Sequence, residues 1–303
     1  MSTVGDAPRT GIDLGGTKTE IIVLGQDGET LFEKRVSTPA PNYDETISLL
    51  ANLVAEAENA VQTRTSIGIG TPGSLSPQTG LLRNSNSTWM NAKPVGADVQ
   101  NAMNRTVRFA NDANCFALSE ATDGAGRGAA SVFGVIIGTG CGGGMVVDGQ
   151  LVQGANGIGG EWGHNPLPWP DDSEYPAPPC WCGRSGCQEV WLSGSGLKRD
   201  HLAVTGEALT GEQIVAQAGA GNEACKATLA RHTHRLARGL AGVCNLLDPE
   251  VIVLGGGLSN MPHLYEDLPG LMEPFVFSDH VSTQIRPPKH GDASGVRGAA
   301  WLW

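Results

Sequence analysis

The chain has 303 residues, enough for two domains of ordinary size and a sizeable core. A formal net charge of −11 without any basic stripe argues against a dedicated nucleic-acid surface and against an anionic membrane partner. No apolar run approaches the length of about 18 residues that a membrane span needs, and MSTVGDAPRT lacks the basic start and apolar core of a signal peptide, so the chain is expected to be cytoplasmic.

Two apolar runs, Arg9–Leu14 and Thr19–Leu24, flank a glycine turn in GIDLGGTK (11–18) and read as strand, turn, strand. Gly15 and Gly16 permit a tight turn whose N–H groups can face an anion. Asp13 can orient a magnesium ion there, and Lys18 can add a cation for phosphate. The plain alternative is a hairpin turn with no further role. A Walker loop is excluded: Gly16 is followed by Thr17, the lysine comes one place late, and a strand follows in place of a helix. The three-glycine dinucleotide fingerprint fails for the same reason.

Thr30–Ser37 can form a third strand. Residues 42–62 carry Ile47, Leu50, Leu53, Val54, Ala57 and Val61 at helical spacing, the pattern of a helix covering a sheet. Ser66–Gly70 is a short strand, and the Gly/Ser/Pro/Asn-rich stretch 71–94 reads as a long loop. In it Asn84, Asn86 and Trp89 either face a ligand or only hold the loop. Val107–Ala110 is a buried strand leading through Asn111 and Asp112 into a helix. A carboxylate at this position serves function or caps the helix.

A Gly/Ala-rich stretch, 121–128, suits a hinge. Beyond it VFGVIIGTGCGGGMVV (132–147) repeats the strand–glycine turn–strand pattern, so the chain reads as a duplicated α/β unit. Two such turns facing each other can clamp a phosphate chain. A third glycine run, Gly255–Gly257, follows the strand-like Glu250–Leu254, where a nucleotide's remainder would meet a βα turn. Residues 222–247 carry Leu229, Leu236, Leu240, Val243 and Leu247 on one stripe of a long helix. His232 and His234 lie beside basic residues in that helix and read as solvated.

Seven cysteines is an odd number, and three fall within eight residues. In a reducing compartment this favours metal over disulfides. Cys180, Cys182 and Cys187 with His164 make a closed four-ligand zinc site, structural because no position remains for an activated water. The competing reading is three unrelated core cysteines. Cys115, Cys141, Cys225 and Cys244 read as small buried residues. The Pro-rich segment 165–179 can shape a pocket or an interface.

In order, GIDLGGTK, NDAN (111–114), GTGCGGG (138–144), GEWGH (160–164), CWCGRSGC (180–187) and VIVLGGG (251–257) resemble the ROK family of sugar kinases and repressors, from about residue 9 to the end. The resemblance implies an α/β, actin/hexokinase-like (ribonuclease H-like) duplicated two-domain fold with a cleft between the domains. Residues 1–121 would form the first domain, completed by the C-terminal helix in 290–303, and 122–289 the larger second domain with the zinc loop. Asp112 would be the catalytic base. Asn111, Glu161, His164, Glu189 and Gly73 would hold the sugar. Asp13, Gly15, Gly16, Thr17, Lys18, Gly138, Thr139, Gly140, Gly142, Gly255, Gly256 and Gly257 would surround ATP, with Mg2+ beside Asp13. TPGSLSP, NSNSTW and EWGHNPLPW resemble bacterial fructokinases of the manno(fructo)kinase type, implying phosphoryl transfer to the 6-hydroxyl of fructose. The alternatives are a glucokinase or mannokinase and an N-acetylhexosamine kinase. A sugar-sensing repressor is disfavoured, because only ten residues precede Gly11 and the chain is acidic. A homodimer is also implied.

Overall fold

The computed structural model describes residues 7–303. Strands β1 (Arg9–Leu14), β2 (Lys18–Leu24) and β3 (Thr30–Ser37) form an antiparallel meander, and α1 (Tyr43–Val61) follows. β4 (Ser66–Thr71) then pairs parallel with β1. The stretch read as a loop holds a small hairpin, β5 (Ser74–Leu75) with β6 (Leu82–Arg83), and a short turn at Thr88–Met90. The helix α2 (Val95–Met103) and β7 (Arg108–Asn111), parallel to β4, complete the first sheet in the order β3-β2-β1-β4-β7.

Helix α3 (Asp112–Thr122) leads to the second sheet, β8 (Ser131–Ile137), β9 (Cys141–Val147) and β10 (Gln150–Leu151). A helical stretch follows: α4 (Gln188–Leu192), α5 (Gly194–Thr205), α6 (Gly211–Gly219) and α7 (Glu223–Leu247). Then come β11 (Val251–Gly255), α8 (His263–Met272), β12 (Gln284–Arg286) and α9 (Ser294–Ala300). The second sheet has the order β10-β9-β8-β11-β12. In both sheets a three-stranded antiparallel meander is extended by two parallel strands, so the duplication is topological as well as sequential.

Both faces of the central strands of each sheet are covered, which is why those strands read as largely apolar runs. Ile12, Ile21 and Val23 pack with Leu50, Leu53 and Ala57 of α1, while Ile22 and Leu24 point the other way onto Val296 and Ala300 of α9. In the second sheet Phe133, Val135, Ile252 and Leu254 join Leu236 and Leu240 of α7, and Val132, Val251 and Val253 pack with Phe116 of α3.

The inner helices are exchanged relative to chain order. α3, which precedes the second sheet, packs on β8 and β9, whereas α9 packs on β1 and β4 and against α3. This close stacking needs glycine. A Cβ on Gly11 would lie 2.1 Å from the Val296 carbonyl oxygen, and one on Gly68 1.9 Å from that of Ala299.

The expectation for His232 is corrected. His234 is exposed, but His232 is 1 % exposed, with Nε2 at 2.9 Å from the Leu192 carbonyl. Burial lowers its pKa. The middle of α7 buries Arg235 and Arg238 because acids from distant segments neutralise them. Arg235 donates to Glu174 at 2.8 Å and to Asp200 at 2.7 Å, and Arg238 also pairs with Glu174. Glu174 belongs to the Pro-rich segment, which this buried cluster fastens to α7. Cys115, Cys141, Cys225 and Cys244 are all buried.

Candidate active site

Two cavities lie side by side. The first, about 720 Å³, is lined by Gly73, Asn111, Asp112, Thr139, Gly140, Gly142, Glu161, His164 and Glu189 among others. The second, about 790 Å³, is lined by Gly138, Thr139, Gly257 and the first residues of α5 and α6. Thr139 and Ser195 line both, so the cavities meet at the second glycine turn and the N-terminus of α5.

Asp112 lies at the first turn of α3. The N-cap is Asn111, whose Oδ1 accepts the Ala113 N–H at 2.9 Å; its Nδ2 reaches the Gly73 carbonyl at 3.5 Å. Asp112 therefore need not serve as the cap, although its Oδ1 also accepts the Ala113 N–H, at 2.7 Å. It is open to solvent on the cleft side. Surrounding protein raises its pKa, and hydrogen bonds from Ala113 and Asn111 hold it back. A carboxylate so placed can accept a proton from a hydroxyl in the cleft.

Glu161 precedes the one-turn helix Trp162–His164. Burial raises its pKa, His164 opposes that, and the charges of Asp112 and Glu189 add to it. Trp162 is buried and its indole N–H donates to the Gly142 carbonyl at 2.9 Å, pinning this segment to the second hairpin. Glu189, in the first turn of α4, accepts the Cys141 N–H through Oε2 at 3.0 Å and the Trp181 indole N–H through Oε1 at 2.6 Å.

The ligand atoms of His164, Cys180, Cys182 and Cys187 all lie within 4.8 Å of one another. Cys180 Sγ is 3.6 Å from His164 Nδ1, and Cys182 Sγ is 3.6 Å from Cys187 Sγ. Tetrahedral zinc with ordinary bond lengths separates its ligand atoms by about 3.5–3.8 Å, so the donor set and these two separations suit that ion. The bridges Pro166–Cys187 and Pro179–Ser185 close the loop around the cluster.

The glycine positions divide. Gly257 lines the second cavity, whereas a Cβ on Gly255 would meet Phe116 and one on Gly256 the Ile137 carbonyl, so those two are packing positions. Asp13, Gly15, Gly16, Thr17 and Lys18 line neither cavity. Of these, Asp13 reaches the site electrostatically: burial, then Asp112, then Glu20 raise its pKa to about 7, against Arg35. Asn84 and Asn86 line the first cavity, but Trp89 packs into the first core. Sequence reasoning missed Trp181, Ser85, Asn91, Ser195 and Lys198, which also line the cavities. The aromatic inserted between Cys180 and Cys182 was the available signal for Trp181.

Among the described residues no helix is long and apolar enough to cross a membrane. Residues 9–303 match the model of the ROK family. The chain is 40 % identical over 298 residues to an N-acetyl-D-glucosamine kinase of Pectobacterium atrosepticum, covering 96 % of this chain and 97 % of that one. The fold matches a ROK hexokinase from Thermus thermophilus with a TM-score of 0.86 at 30 % identity over 97 % of both chains. It also matches a ROK family glucokinase from Streptomyces griseus in complex with glucose and AMPPNP, with a TM-score of 0.77 at 26 % identity over 97 % of this chain and 98 % of that one. The α/β hexokinase-like architecture implied by the family resemblance is thus the one observed, and the chain belongs to the ROK family of sugar kinases.

Proposed function

We propose that the protein is an ATP-dependent N-acetyl-D-glucosamine kinase that phosphorylates the sugar's 6-hydroxyl. The observation that carries the chemistry is the junction of the two cavities at Thr139 and Ser195, with Asp112 on the acceptor side and the N-termini of α5 and α6 on the other. Helix N-termini favour anions, which suits the donor phosphates. For the sugar, the fructokinase expectation gives way to its N-acetylhexosamine alternative, because the relatives at 37–40 % identity are N-acetyl-D-glucosamine kinases.

In this reading Asn111, Glu161, His164 and Glu189 hold hydroxyls, and Asp112 accepts the proton of the attacking hydroxyl as the oxygen–phosphorus bond forms. Magnesium, held near Asp13, would neutralise charge on the donor phosphates. In the glycine turn at 138–142 the Gly138 N–H is taken by the Gly140 carbonyl and the Cys141 N–H by Glu189, so the Thr139 and Gly140 N–H groups are the ones proposed to approach those phosphates. Positioning and charge compensation dominate such transfers, so closure of the two halves around the cleft would serve to exclude water. The discontinuous first domain is proposed as the moving half: the contacts of α9 with β1 and β4 support adding 290–303 to it, whereas α3 packs on β8 and β9 and groups with the second domain, so the boundary moves from 121 to the start of α3.

His164, Cys180, Cys182 and Cys187 are proposed to hold a structural zinc ion. Its chemistry would be to fix the loop that carries Glu189, with no part in phosphoryl transfer.

The test is an ADP-release assay with ATP and magnesium against N-acetylglucosamine, N-acetylmannosamine, glucose, mannose and fructose in parallel. A kcat/KM for N-acetylglucosamine well above the others is the expected result. Preference for fructose or glucose would move the substrate and keep the kinase. No turnover with any hexose would overturn the kinase reading.

A further inference from the structure

Trp181 is 64 % exposed and faces the first cavity from between Cys180 and Cys182. An indole left this bare forgoes the stabilisation that burial gives an aromatic ring. It is nevertheless held in place. Its N–H donates to Glu189 Oε1 at 2.6 Å, and its ring meets that of His164 edge to face at 5.0 Å between centroids. Both partners are candidate sugar ligands, and the other oxygen of Glu189 is already occupied by the Cys141 N–H.

Asp112, Glu161, His164, Glu189 and Trp181 line one cavity. Asp112 enters it from the start of α3, and Trp181 enters it from the cysteine loop, in contact with Glu189 and His164. A pyranose placed with its 6-hydroxyl at Asp112 holds its C1–C2 edge away from Asp112, where a side chain from another element of the lining can meet it.

We propose that Trp181 contacts the C1–C2 end of the sugar, selecting a 2-acetamido group over a 2-hydroxyl, while its N–H positions Glu189. This rests on the reading of the protein as an N-acetylhexosamine kinase. An acetamido group offers a planar amide and a methyl that pack on an aromatic face, and a hydroxyl offers neither. The two roles separate chemically: the ring provides selectivity, and the N–H provides the geometry of Glu189.

The experiment compares the wild type with Trp181→Ala and Trp181→Phe, each checked for metal content and melting. Wild-type preference for N-acetylglucosamine over glucose is established first; its absence overturns the substrate reading and the selectivity claim with it. Given that preference, Trp181→Ala should reduce the ratio of the two kcat/KM values by about tenfold, mainly through KM for N-acetylglucosamine. Trp181→Phe should keep most of the ratio but weaken both sugars alike, because Glu189 loses its donor. An unchanged ratio in Trp181→Ala overturns the proposal and leaves the kinase reading standing. If Trp181→Ala does not fold, indole fluorescence decides. N-acetylglucosamine added without ATP should change the wild-type signal, and the same change in Trp181→Phe means that Trp181 is not at the sugar.

Discussion

The carboxylates of Asp13, in β1, and Asp112, at the start of α3, lie near enough that the charge of Asp112 helps burial bring the Asp13 pKa to about 7. Two elements about a hundred residues apart thus bring two acidic groups within electrostatic reach of each other, of which Asp112 lines the first cavity and Asp13 does not. A divalent cation there would relieve the repulsion, and without one the pair resists full ionisation.

This gives a pH prediction for the metal-free protein. The folded pKa of Asp13 lies above its unfolded value of 3.8, so between those limits the folded state binds the extra proton. The contribution of Asp13 to stability therefore falls as pH rises from about 4 to about 7 and then levels off. Asp13→Asn should raise the melting temperature of the metal-free protein more at pH 8 than at pH 5, while lowering kinase activity. Equal shifts at both pH values would contradict the raised pKa.

Replacement of Asp112 by asparagine keeps the side chain's shape and removes the base. Turnover should fall about 10²–10⁴-fold. Sugar affinity, measured calorimetrically without ATP, should stay close to that of the wild type. Near-normal turnover would exclude Asp112 as the proton acceptor.

Metal analysis should find about one zinc per chain. Chelation, or Cys182→Ser, should lower the melting temperature and the activity together, because a loop with little core of its own depends on the ion. Zinc loss with unchanged melting and unchanged rate would show that the cluster is not structural.

Glu174 faces both Arg235 and Arg238 at 3 % exposure. Glu174→Ala would leave Arg238 without a carboxylate and Arg235 with Asp200 alone, at a cost of about 3–5 kcal/mol. Denaturant unfolding should read that loss. A change below about 1 kcal/mol would mean that water reaches the cluster and solvates the arginines.

The local parts of this molecule were legible in the sequence. Strands covered on both faces are mostly apolar, so β8 and β11, and the apolar centres of β1 and β2, could be read from the sequence pattern. The glycine turns could be read for the same kind of reason. What could not be read depends on partners far away in the chain. His232 stands beside arginines that look solvated until Glu174 and Asp200 arrive from other segments. The site divides similarly. Asp112 was visible because a strand ends there and a helix begins. Ser195 was not, since nothing local distinguishes it from Ser193, which caps α5 through the Gly196 N–H at 3.1 Å. Gly255 and Gly256 share a motif with Gly257 but serve packing, a distinction set by Phe116 and Ile137.

The exchange of α3 and α9 bears on how the molecule is made. β1 and β4 emerge early from the ribosome, yet the helix that covers their inner face follows β4 by more than two hundred residues (Thr71 to Ser294). A nascent chain halted near residue 290 would carry Ile22 and Leu24 without Val296 and Ala300. The first half must therefore wait for the second before it closes, and a chaperone that shields its uncovered sheet face during translation would act on this interval.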